Sequence, residues 1–380
     1  MFTVEVKQLE VNDRIDNLYI LRGPNGQEAR ISGRAGSIEE LLLPPGGDDS
    51  LIRLVYGHAS KLDFFVGRER SNVLPAYTED YHRQISESRD AGLMQGGVPV
   101  TFFPGRVQKG RIRFLQPDYS YAEFDVHPDH PPSDSLLHLG AGKDADFEFD
   151  SLKHDENSAS IKLTCDIGSK LYGEGFPQKL RAEVEYTLGR DPLKRKVTLF
   201  NDSEIYVTIP TSDHSSCMPG SAPLERCSLT MNAIGNYELA EKTKIATGRL
   251  IQPARFVRWG GIQLSSEIEE MYRLSPGARD IRMTNEQTGE GLLITVDPKT
   301  NMAYVWTHNT THDTYKHQFC SIQPYGGDPT AIVSAVACNT PQELARMDPL
   351  FRQSIKRMMM PHSNISYETE WKAFKRRLAA

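Results

Sequence analysis

Short runs of alternating apolar and polar residues, punctuated by turn residues, constrain the fold of this chain more than any other feature. Ala159–Cys165 and Arg181–Leu188 set an apolar side chain at every second position, the period of a strand with one buried face. Gly189-Arg190-Asp191-Pro192 supplies a turn, and Leu193–Phe200 resumes the alternation until Asn201-Asp202. Glu290–Val296 and Met302–Trp306 repeat the rhythm across Asp297-Pro298-Lys299-Thr300. Many such strands at short spacing predict an all-β sandwich or barrel.

Helix signals are few. Ser37–Leu43 reads as at most two helical turns, stopped by Pro44-Pro45. Thr340–Met347 carries Thr as N-cap, Pro at the first helical position and an acid in the first turn. No repeat, heptad pattern or low-complexity tract is found, and no linker-like stretch divides the chain. The expectation is one domain over residues 1–374, with Lys375–Ala380 as an unpacked tail.

Composition narrows the function classes. The chain has 380 residues, 38% of them hydrophobic and 25% charged, enough apolar content for a substantial core. A net charge of −6 argues against nucleic acid as a partner, because phosphate binding needs a basic surface. No apolar run approaches the roughly 18 residues of a membrane-spanning helix. Neither a secretory leader nor a CxxC pair is seen, and Cys165, Cys217, Cys227, Cys320 and Cys338 read as free thiols of a cytoplasmic protein. No phosphate-cradling glycine motif follows a strand, so no nucleotide cofactor is expected.

Four segments carry the candidate chemistry. In Gly96–Arg106, glycines and Pro104-Gly105 bracket an apolar strand that would present Arg106, a rigid multi-donor fork suited to hydroxyls and ring oxygens. Read alone, an ordinary surface arginine fits better. Ser135–Gly142 sets His138 between an apolar run and a glycine loop, where an imidazole can donate to an oxygen. His127 and His130 sit in a proline-rich loop and read as structural. Val207–Ser216 mixes hydroxyls with Asp213 and His214, and His214 fits a general acid. No GxSxG elbow accompanies it, which argues against a serine hydrolase. His308 and His312 have the spacing of zinc ligands on a helix, but their polar β-branched neighbours favour strand or loop, and no metal is expected. The fourth segment, Phe319–Gly327, contains Gln323.

Taken in order, these segments resemble the galactose mutarotase-like (aldose 1-epimerase) family over roughly residues 25–350. Gly-Gly-Val-Pro-Val…Pro-Gly-Arg106 is similar to a family segment whose arginine binds the sugar. Leu137-His138-Leu139-Gly140 resembles one with a substrate-binding histidine. Thr211-Ser212-Asp213-His214-Ser215 falls where the family has its general-acid histidine, with Asp213 for the usual Asn and Ser216-Cys217 in place of Tyr-Phe. Glu269-Glu270-Met271-Tyr272 lies near a segment whose acid contacts sugar hydroxyls, an assignment given to Glu270. Tyr304–Thr307 resembles the strand before the catalytic base, and Gln323 stands where that base is a glutamate.

The resemblance implies a single-domain β-supersandwich that is a monomer or homodimer. It also implies a cleft for a small carbohydrate or related metabolite, with no cofactor. Arg106, His138, His214 and Gln323 are expected to converge on one site, with Asp213 and Glu270 near it. An amide cannot accept the proton that the family's base removes. Three readings therefore stand: ring-opening isomerisation with Glu270 or Asp213 as replacement base, a binding module without catalysis, or a relative repurposed to a non-sugar metabolite.

Overall fold

A computed structural model describes residues 1–56, 98–125, 135–137, 147–166, 179–251, 261–307, 320–326 and 359–378, apart from a few positions within these ranges. In chain order the strands begin with a meander: β1 (Thr3–Val11), β2 (Arg14–Arg22), β3 (Glu28–Ser32), β4 (Ile38–Leu43) and β5 (Ile52–Tyr56). Shorter strands follow: β6 (Val98–Val100), β7 (Arg106–Gln108), β8 (Arg111–Leu115), β9 (Tyr121–Asp125) and β10 (Ser135–Leu137). A second meander comprises β11 (Glu148–His154), β12 (Ala159–Asp166), β13 (Leu180–Leu188) and β14 (Pro192–Asn201). The rest are β15 (Thr211–Cys217), β16 (Cys227–Met231), β17 (Ala233–Leu239), β18 (Ala246–Ile251), β19 (Ile262–Gln263) and β20 (Glu269–Leu274). β21 (Asp280–Asn285), β22 (Glu290–Val296), β23 (Met302–Trp306), β24 (Cys320–Gly326) and β25 (Ser363–Lys375) complete the set.

Two antiparallel sheets dominate. The larger runs β1-β2-β3-β4-β5-β15-β24-β23-β20-β17-β18, with β6 also on β15. The smaller runs β11-β12-β13-β14-β25-β22-β21-β16-β19. The alternation read from the sequence appears as burial: every second residue of β12, β13 and β14 is buried. Leu163, Val184, Leu199 and Trp371 of the smaller sheet share one core with Tyr272, Val305 and Ile322 of the larger. Sheet faces pack in this way because each strand has one apolar side to remove from water.

Ser37–Leu43 departs from expectation. It is strand β4, paired on both sides with β3 and β5, not a helix. Its apolar spacing satisfies a helix, but the ladders on both edges satisfy its backbone groups as a strand. Thr340–Met347 lies outside the described residues. Lys375, assigned to the tail, is the last residue of β25, and the Arg376 N–H donates to Gly289 O. No helix among the described residues is long and apolar enough to cross a membrane.

Candidate active site

β15 and β24 lie side by side at the middle of the larger sheet. Their register pairs Ser212 with Tyr325 and Ser215 with Ile322, which brackets His214 opposite Gln323. Residues opposite each other in an antiparallel ladder share a face. The same row continues through Tyr304, which pairs with Gln323, and Met271, which pairs with Tyr304. The adjacent row holds Ser321, Trp306 and Glu269 in successive register pairs. All of these sit on the outer face, because the intervening Ile322, Val305 and Tyr272 belong to the shared core.

His214 and Gln323 are each only 2% exposed, so burial removes both from bulk water. Ser321 Oγ lies 3.3 Å from His214 Nδ1 and accepts from Gln323 Nε2 at 3.4 Å. One hydroxyl thus ties the imidazole to the amide. The Trp306 ring stands edge-on to His214 at 6.2 Å between centroids. Gln323 Oε1 is buried without a hydrogen-bond partner among the described residues. Such an orphan acceptor is costly unless something donates to it. Tyr304 Oη donates to Glu269 Oε1 at 2.9 Å, and both side chains are partly exposed.

By register, Glu270 and Asp213 hold positions that alternate with the row of His214 and Gln323. Glu270 pairs in register with Val305 of the core face and accepts a hydrogen bond from Tyr272 Oη, also on that face. Asp213 holds the register position between Ser212 and His214, opposite Pro99. Glu269, one residue before Glu270, is on His214's face. Sequence order could not distinguish adjacent residues that differ by a sheet face. Ser321 and Tyr304 were likewise missed as site residues. Ser321 follows from counting in twos back from Gln323, whereas Tyr304 follows only from the register of β23 against β24.

Arg106 opens β7 and pairs with Leu137 of β10, so Arg106 neighbours the residue before His138. His138 itself, with His127, His130, His308 and His312, lies outside the described residues. Among the described residues no group of three or more His, Cys, Asp or Glu side chains is arranged to hold a metal ion.

Neither a protein-family model nor a curated protein matches the sequence. Solved structures match end to end. A galactose mutarotase-like protein from Clostridium acetobutylicum aligns with a TM-score of 0.71 at 13% identity, covering 98% of this chain and 99% of that one. A galactose 1-epimerase from Lactobacillus acidophilus gives 0.67 at 12% identity, covering 98% and 99%. A putative aldose 1-epimerase from Escherichia coli K12 gives 0.63 at 13%, covering 99% and 100%. The strand order, the two-sheet packing and these alignments make the chain a divergent example of the galactose mutarotase-like β-sandwich fold.

Proposed function

We propose that this protein binds a sugar, or a sugar-like cyclic hemiacetal, on the outer face of its larger sheet and isomerises it by opening and reclosing the ring. His214 is the general acid. The observation that carries the reading is the buried His214–Ser321–Gln323 chain beside the Trp306 ring. Ser321 orients the imidazole, and the Trp306 ring packs edge-on beside it. Ring opening needs a proton delivered to the ring oxygen and another removed from the C1 hydroxyl. An imidazolium near its pKa gives up and recovers a proton readily, and one such positioned group contributes about 10²–10⁴-fold. In this reading Arg106 and His138 hold the substrate. Cys165, Cys217, Cys227 and Cys320 are buried free thiols, which fits a reducing cytoplasm.

Gln323 favours a second reading, a sugar-binding module without catalysis. Its amide donates to Ser321 and leaves Oε1 open to a donor, which suits recognition of a hydroxyl rather than proton abstraction.

NMR exchange spectroscopy between anomers, over a panel of aldoses and aldose phosphates, separates the two. Isomerisation predicts exchange above the buffer rate, lowered about 10²–10⁴-fold by His214→Asn. Saturable binding without faster exchange favours the module, and neither binding nor exchange defeats both.

A further inference from the structure

We propose that Tyr304, relaying to Glu269, removes the C1 hydroxyl proton that a carboxylate at position 323 would otherwise take. The proposal rests on the ring-opening reading above and supplies the base that reading lacks.

Position explains the choice of residue. Tyr304 is the register partner of Gln323, so its backbone stands one strand away, about 4.8 Å. Glu269 is on the next strand, β20, two strand spacings from Gln323. A carboxylate there is too far to act at the atom a Glu at 323 would reach. Tyr304 stands on the strand between the two, and its Oη donates to Glu269 Oε1 at 2.9 Å. Tyr304 and Glu269 are partly exposed, unlike the buried His214 and Gln323, so a ligand above this face can meet the phenol oxygen. Glu270, the other acid of β20, is on the core face with Tyr272.

The chemistry balances. A neutral phenol accepts a proton only if it gives up its own, and Glu269 is placed to take it. The C1 hydroxyl loses its proton to Tyr304 Oη while the phenolic proton passes to Glu269 Oε1. The electron pair on O1 forms the carbonyl as the bond between C1 and the ring oxygen breaks. That oxygen takes a proton from the His214 imidazolium. Ring closure on the other face reverses each transfer, so Glu269 returns ionised, His214 returns protonated, and no proton or electron is consumed. The final acceptor is a carboxylate, as it would be for a glutamate acting directly.

Anomer exchange by NMR, at several substrate concentrations, tests this with Tyr304→Phe, Glu269→Gln and the double variant. Each single change is expected to lower kcat about 10²–10³-fold with KM held within about threefold. The double variant should lose little more, because the two groups act as one unit. Retention of kcat within about threefold in Tyr304→Phe overturns the relay. So does a Glu269→Gln variant whose only defect is a raised KM, since Glu269 would then merely bind a hydroxyl. Both substitutions keep side-chain shape, and thermal melts identify either one that fails to fold, leaving the other to decide. Wild-type protein with no exchange on any sugar defeats the ring-opening reading and the relay together. Exchange that persists in Tyr304→Phe defeats the relay alone.

Discussion

At the scale of single residues, Gln323 and Arg30 show how differently one buried group can matter. Gln323→Glu exchanges an NH₂ for an oxygen beside Ser321, whose hydroxyl can reverse its bond and donate instead. Exchange is expected to rise less than about tenfold. The segment after His214 is Ser215-Ser216-Cys217 rather than the aromatic pair the resemblance implies, and the proposed relay would supply a base of its own. A gain of two orders of magnitude would mean that the site lost only its base. Arg30, by contrast, holds charge in place. Its Nε lies 2.6 Å from Glu28 and 3.2 Å from Glu40, and Glu40 is completely buried. Arg30→Met strips one partner from both carboxylates, and removing one member of a buried ionic group typically costs about 3–5 kcal/mol, readable by urea unfolding at neutral pH. Burial alone would raise the Glu28 carboxyl, but Arg30 and Arg22 outweigh it and hold it below its ordinary value. A depressed pKa stabilises the fold above the ordinary glutamate range and stops doing so as pH falls through the folded value. The cost of Arg30→Met should therefore be full above the ordinary glutamate range and shrink as pH falls through it, because protonation neutralises the carboxylates left unpaired.

Strand β24 shows the division of labour within one element. Ser321 and Gln323 face the site, while Cys320 and Ile322 face the core. Ile322→Ala should cost about 2–5 kcal/mol in unfolding while sparing the geometry around His214. Ser321→Ala should cost about 1–3 kcal/mol, because buried Gln323 Nε2 loses its acceptor, and should slow anomer exchange, because the imidazole loses the hydroxyl at Nδ1. The same alternation made much of the fold legible in advance. Glu290–Val296 and Met302–Trp306 coincide with β22 and β23, and Arg181–Leu188 is β13 short of its first residue. β4 was misread because Ile38, Leu41 and Leu42 have helical spacing and because Glu39 and Glu40 are both buried, which erases the period of two. That His214 and Gln323 lie together was legible from their segments. Glu269 was not, since choosing it over Glu270 requires the register against β23, a long-range fact that local sequence does not encode.

The two sheets close over a common core, and the cysteines report on that closure as a whole. Cys217 and Cys320 are register partners on the core side of β15 and β24, with no exposed surface, and Cys227 is equally buried. Burial pushes the Cys217 and Cys320 thiols well above their ordinary value and the Cys227 thiol up to about 12. The thiolate is the nucleophile, so these three are inert in the folded protein at pH 8 for reasons of both access and ionisation. They become ordinary thiols only when the sheets separate. Iodoacetamide labelling, followed by mass spectrometry at each site, should then run no faster than exchange of the slowest core amides. A loss of 2 kcal/mol or more from Ile322→Ala should speed it about 30-fold or more, since each 1.4 kcal/mol is a factor of ten in the open population. Fast labelling of Cys217 and Cys320 that ignores Ile322→Ala would show instead that β15 and β24 part locally. The strands carrying His214 and Gln323 would then be a mobile element rather than the fixed centre of the sheet.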